Sequence, residues 1–83
     1  MAYQLIFTQR AKDDVESLDR VVKKQIGKKL LALQQNPLAV SRKLIHVSVG
    51  QYRFRVGDYR VVFDLEGDKI IVLRIGHRRE IYR

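Results

Sequence analysis

Eighty-three residues with seventeen lysines and arginines against nine carboxylates give a net charge of +8 and a pI near 10.2. That length suits one small domain over residues 1–83, close to the size at which a single core just suffices, and leaves no room for a second. A hydrophobic share of 46% excludes disorder, the lack of cysteine excludes disulfides and thiolate metal sites, and two histidines are too few for an ordinary zinc site, so no metal or cofactor is expected.

No apolar run is long enough for a bilayer, and the N-terminus has no signal-peptide pattern, so a soluble, cytoplasmic protein is expected, with no membrane partner. The positive balance fits a polyanionic partner, nucleic acid first. Ten of the seventeen basic residues are arginine, and seven of those ten lie from Arg53 onward. The planar guanidinium fork suits phosphate better than a lysine point charge does.

Tyr3 to Phe7 alternates weakly and predicts a first strand, with Thr8 next as a helix N-cap. Ala11, Val15 and Leu18 then recur at helical spacing. Lys12, Asp13, Asp14 and Glu16 are expected on the outer face, the carboxylates in the first turns where the helix dipole favours them. A second helical pattern starts at Arg20. Val22, Ile26, Leu30 and Leu33 make its apolar stripe, Lys23, Lys24, Lys28 and Lys29 lie outside it, and Asn36-Pro37 ends it. Four lysines there read as a solvated face before they read as a nucleic-acid contact. Pro37 to Ser41 is irregular, and Lys43 to Val47 predicts another strand, with His46 an edge or turn residue rather than a ligand.

The clearest pattern runs from Gln51 to Leu65. Tyr52, Phe54 and Val56 form one side of a strand, and Tyr59, Val61, Phe63 and Leu65 the matching side of the next. Both tyrosines are therefore packing residues before they are base-stacking platforms. A II′ turn at Gly57-Asp58 pairs Val56 with Tyr59, Arg55 with Arg60 and Phe54 with Val61. Like charges directly opposite cost roughly 0.2–1 kcal/mol, so an anion is expected between Arg55 and Arg60. Glu66-Gly67-Asp68 then reads as a three-residue turn into a buried strand from Lys69 to Ile75, setting Phe63 against Ile71, Val61 against Leu73 and Arg60 against Arg74. A two-residue turn would place Arg74 in the core, which its charge opposes. The predicted class is α+β: an N-terminal strand, a two-helix hairpin, an antiparallel sheet of about three to four strands and a short basic C-terminal tail. One sheet face packs on the helices and leaves the other as a concave basic surface.

Enzyme signatures are mostly missing: no P-loop, no Rossmann glycine fingerprint, no Gly-x-Ser-x-Gly elbow. Arginines, histidines and tyrosines remain, a set suited to stabilising a phosphodiester in transfer when another molecule positions it. Together with Tyr59-Arg60 in the hairpin, the ending Gly76-His77-Arg78-Arg79-Glu80-Ile81-Tyr82 resembles the RelE toxin family of the RelE/ParE superfamily, and the resemblance runs the length of the chain.

That resemblance implies a RelE-like microbial RNase-type fold and the toxin of a type II toxin-antitoxin system, a messenger-RNA endonuclease working in the A site of the 70S ribosome. By position it implies basic site residues at Arg53, Arg55, Arg60 and Arg78, and a C-terminal tyrosine at Tyr82. The codon's 2′-hydroxyl would attack the adjacent phosphate. Arg55 and Arg60 would stabilise the extra charge, Arg78 would assist the leaving 5′-oxygen, and Tyr82 would stack on a base. Arg74, Arg79 and Arg83 join Arg53, Arg55 and Arg60 as RNA-binding candidates, although Arg74 has the option of pairing with Asp64 or Glu80, and Arg79 and Arg83 supply long-range attraction. The best-studied form of the family site has lysines on the strand before the hairpin, one as proton acceptor, where this chain has Gln51 and Arg53. Arginine holds its proton, so His77 is the preferred acceptor, ahead of Tyr82 or a ribosomal group. Two other functions stay open: the resemblance also admits a ParE-like toxin acting on DNA gyrase without nuclease activity, and the charge fits a non-catalytic RNA-binding module. The resemblance also implies a hetero-oligomer with a cognate antitoxin, RelB-like, acidic and helical.

Overall fold

The computed structural model describes residues 3–36, 41–43 and 52–81. Its elements are β1 (Gln4–Phe7), α1 (Gln9–Ser17), α2 (Arg20–Gln35), β2 (Ser41–Lys43), β3 (Tyr52–Val56), β4 (Tyr59–Glu66) and β5 (Lys69–His77). The strand expected over Lys43 to Val47 falls, after Lys43, outside the described residues. All the strands join one sheet in the order β1-β5-β4-β3-β2, antiparallel except that β1 runs parallel to β5.

Thr8 joins sheet to helix. Its hydroxyl accepts from Ala11 N–H at 3.1 Å and donates to Leu73 C=O at 3.2 Å, while its own N–H donates to Val72 C=O at 3.1 Å. Helix α1 starts at Gln9, so no carboxylate falls in its first turn, contrary to expectation. Asp14 also leaves the outer face: three residues after Ala11 it lies on the apolar stripe, its side chain 17% exposed. Asp19 caps α2, its Oδ1 accepting from Val21 and Val22 N–H at 2.8 and 3.1 Å.

Ile26, Leu30 and Leu33 of α2 and Ala11 of α1 cover Phe54, Val56, Val61, Phe63, Ile70, Val72 and Ile75 on one sheet face. Burial of each large side chain contributes about 1.5–3 kcal/mol, so this layer, not strand pairing alone, orders the sheet. Tyr52 stacks on Phe63 at 5.5 Å between ring centroids, and Tyr59 packs against the same cluster.

The register between β4 and β5 departs from the sequence reading. Gly67-Asp68 is a two-residue turn, with Glu66 opposite Lys69, Phe63 opposite Val72 and Val61 opposite Ile75. Gly67 supplies the positive φ, +61°, that such a turn demands. Arg74 is nevertheless kept from the core side. An irregularity at Val62/Phe63 inserts Leu73 as an extra residue, which resets the alternation and puts Arg74 opposite Val62 and Gly76 opposite Arg60. Turn length and side-chain polarity conflict in a regular ladder, and a bulge resolves the conflict.

Candidate nucleic-acid interface

The hairpin has the expected register, with Val56 opposite Tyr59, Arg55 opposite Arg60, Phe54 opposite Val61, and Gly57 at φ +58°. The two facing arginines resolve their repulsion within the chain. Arg60 is only 6% exposed, and its Nη1 donates to Gly57 C=O at 2.8 Å and to Tyr59 C=O at 2.9 Å. The guanidinium thus clamps the turn from below. Arg55 stays exposed and Arg53 half-buried on the same open face.

The basic tail closes on this turn. Arg78 N–H donates to Asp58 C=O at 2.8 Å, and Arg78 Nε lies 3.9 Å from Asp58 Oδ1, both side chains more than half exposed. After β5 the chain makes one helical turn, Glu80 and Ile81 N–H donating to His77 C=O at 2.9 and 3.0 Å. That turn brings Ile81 back over Gly76: a Cβ at Gly76 would sit 3.8 Å from the Cβ and Cδ1 of Ile81. Since Gly76 pairs with Arg60, fully buried Ile81 roofs the sheet beside the buried guanidinium.

His77 goes the other way. It pairs with Tyr59, whose ring meets the imidazole edge-on at 5.5 Å, so it shares the helix-packed face and is not brought together with Arg55 and Arg60. Its Nδ1 accepts from Arg79 N–H at 3.2 Å. Arg74 is drawn toward α1 instead: Asp14 Oδ2 accepts from Arg74 Nε and from Ile75 N–H, each at 2.9 Å. Asp14 thereby occupies the place on the β5 edge that β1, ending opposite Val72, no longer fills. Beside it a cleft of about 380 Å³ opens between the α1–α2 corner and the end of β5, lined by Asp14, Asp19, Tyr59, His77 and Glu80 among others. Among the described residues no group of His, Asp or Glu is arranged to hold a metal.

The fold therefore groups Arg53, Arg55, Arg60 and Arg78 at the hairpin end of the open face. Arg74, opposite Val62 on the same face, is tied to Asp14 at the β5 edge, His77 lies on the helix-packed face, and Arg79 is exposed on the tail turn. Tyr82, Arg83, Gln51 and His46 lie outside the described residues. Three contributors escape a reading by residue type: Asp58, read as a turn residue, which also holds Arg78; Ile81, which roofs Gly76; and Asp14, read as a helix-start charge. Only Asp14 leaves a signal, an acid on an apolar stripe.

The family profile described as ParE toxin of type II toxin-antitoxin system, parDE, matches residues 5–82. The chain belongs to the RelE/ParE toxin family. Toxin RelG of Mycobacterium tuberculosis is 31% identical over 86 aligned positions, covering 100% of this chain and 99% of RelG. Among solved structures, a chain of the M. tuberculosis RelBE2 toxin-antitoxin complex superposes with TM-score 0.85 at 25% identity, covering 94% of this chain and 100% of that one. A chain of the intact E. coli RelBE toxin-antitoxin complex superposes at 0.76 with 27% identity, covering 92% and 96%. The RelE/ParE fold thus accounts for the strand, helix pair and sheet described above.

Proposed function

We propose that this type II toxin is a ribosome-dependent endoribonuclease that cuts messenger RNA in the A site. The carrying observation is the clustering at one sheet end of exposed Arg55, half-buried Arg53 and an Arg78 hooked to the hairpin turn by Asp58. In this reading the 2′-oxygen attacks the adjacent phosphorus, the bond to the 5′-oxygen breaks, and a 2′,3′-cyclic phosphate and a 5′-hydroxyl result, the leaving oxygen taking its proton from water. Arg55 and Arg53 neutralise the charge gathering on the phosphoryl oxygens, Arg78 steadies the leaving 5′-oxygen, and Tyr82 stacks on a base. Arg60 holds the hairpin turn that presents Arg78. Because His77 lies across the sheet, the proton of the attacking hydroxyl goes to a group on the ribosome, which makes free RNA a poor substrate. RelG and the RelE structures, matched over nearly the whole chain, favour this reading over the gyrase-directed function of the ParE branch.

The open face also supports an antitoxin. Its hairpin end is cationic, while on the β1–β5 side Ile6, 36% exposed, pairs with Ile71 to leave an apolar strip. An acidic amphipathic helix, RelB-like as in the complexes above, matches both halves and would form a hetero-oligomer that blocks the arginines. Among the described residues no helix is long and apolar enough to cross a membrane, and a ribosomal target places the protein in the cytoplasm. Toeprinting of a translating ribosome tests the nuclease: the wild type yields new breaks within the A-site codon, and Arg78→Ala and Tyr82→Ala weaken them. Inhibition of gyrase supercoiling without such breaks would establish the ParE-type function instead.

A further inference from the structure

We propose that the outer row of α2, Arg20, Lys24 and Lys28, is a second RNA-backbone contact that docks the toxin against a wall of structured ribosomal RNA. This rests on the ribosomal reading above. Helix α2 has no Asp or Glu in its sixteen residues, and its five cations all fall within the first ten. Arg20 lies in the first turn, where the helix dipole disfavours a cation, with the Asp19 cap as the opposing charge. Arg20 to Lys24 and Lys24 to Lys28 are i,i+4 pairs of like sign, each destabilising by about 0.2–0.5 kcal/mol. All three are exposed, and no carboxylate forms an ion pair with them among the described residues.

Solubility alone does not account for this pattern. Helix α1 carries both signs, Arg10 and Lys12 followed by Asp13, Asp14 and Glu16, and Gln9 donates to Asp13 at 3.1 Å. The same chain thus mixes signs on one helix and segregates them on the other. At 100° per residue the row lies opposite the buried stripe of Ile26, Leu30 and Leu33, and so points away from the sheet. Arg53 and Arg55 lie on the far face of that sheet, in a molecule whose shortest extent is 23 Å. A single RNA strand on the open face cannot reach both surfaces, but a cleft walled by RNA can. Cations recurring every ~6 Å along the helix suit a regularly charged polymer. An acidic protein partner would want apolar anchors among the charges, and here Val21 and Leu31, 67% and 64% exposed, flank the row only at its ends.

The test uses the full chain, messenger-free 70S ribosomes and a short single-stranded RNA as separate ligands. Lys24→Gln/Lys28→Gln keeps good helix formers at exposed positions, and Lys12→Gln on α1 is the single-charge control. The double variant should bind messenger-free ribosomes about tenfold more weakly at ~0.1 M salt, with the log–log salt slope reduced by about 2. Its affinity for the short RNA, and its single-turnover cutting at saturating ribosome, should match wild type, and Lys12→Gln should change neither slope nor affinity. Unchanged ribosome affinity and slope would overturn the proposal, as would an equal loss of affinity for the short RNA, which would reduce the row to general attraction for RNA. A wild type that binds ribosomes through the row yet never cuts would remove the nuclease reading and leave this one standing.

Discussion

Arg60 carries more than one consequence. Its Nη1 holds two carbonyls of the hairpin turn from a position 6% exposed. Hydrogen bonds from a charged donor contribute about 1.5–3 kcal/mol. Arg60→Ala should lower unfolding free energy by about 2–3 kcal/mol in urea titrations, and Arg60→Lys should recover only part of it, because an ammonium is more strongly hydrated than a guanidinium and costs more to hold at a site 6% exposed. A loss below about 0.5 kcal/mol would mean that the clamp is slack. Any cleavage defect of Arg60→Ala must therefore be read beside its stability. His77 predicts the opposite separation. It supports the tail turn from the helix-packed face, so His77→Gln should soften the tail and leave single-turnover cleavage on ribosomes within about twofold of wild type. A drop of a hundredfold, within the range of general-base loss, would restore it to the chemistry.

At the scale of elements, Asp14 shows what a linear pattern conceals. Its single Oδ2 closes the β5 edge at Ile75 and neutralises Arg74. Asp14→Ala should cost about 2–4 kcal/mol, since a partly buried guanidinium and a backbone N–H lose their acceptor together. Asp14→Asn, whose amide oxygen can still accept from Ile75, should cost less than half of that in the same denaturant titration. Equal losses would mean that only charge matters there. The β3–β4 hairpin was legible down to individual partners because alternation and the Gly57 turn are both local. So were the Thr8 cap and the α2 stripe. The β4–β5 register was misread for a definable reason. Turn type and the polarity of Arg74 pointed to different lengths, and a bulge, which satisfies both, leaves no local residue signature. The parallel pairing of β1 with β5 joins segments at opposite ends of the chain, where no periodicity reaches. Of the site, the shared sheet face of Arg53, Arg55 and Arg60 followed from alternation, whereas Arg78 was reached only through the family resemblance. The burial of Arg60 and the sheet face of His77 required the tail turn and the β5 register.

At the scale of the molecule, the charge of +8 is confined to principal extents of 30 × 28 × 23 Å. The Debye length is about 30 Å at 0.01 M salt and about 10 Å at 0.1 M. At the lower concentration the α2 row therefore feels the arginines of the opposite sheet face, and at the higher one it does not. Net charge of this size works against the compact state through self-repulsion. Raising sodium chloride from ~0.01 to ~0.2 M should stabilise the free toxin by about 1 kcal/mol, or roughly 4–8 °C in thermal melts for a domain of this size. The Asp14–Arg74 pair, at 17% and 21% exposure, is screened less and should not offset the gain. Sodium sulfate at matched ionic strength separates diffuse screening from a formed anion site. If Arg53, Arg55 and Arg78 converge on a phosphate-sized position, sulfate should raise the midpoint beyond chloride, and Arg55→Ala should abolish that excess while leaving the chloride response in place. Equal effects of the two salts on wild type would mean that the arginines do not converge before RNA arrives.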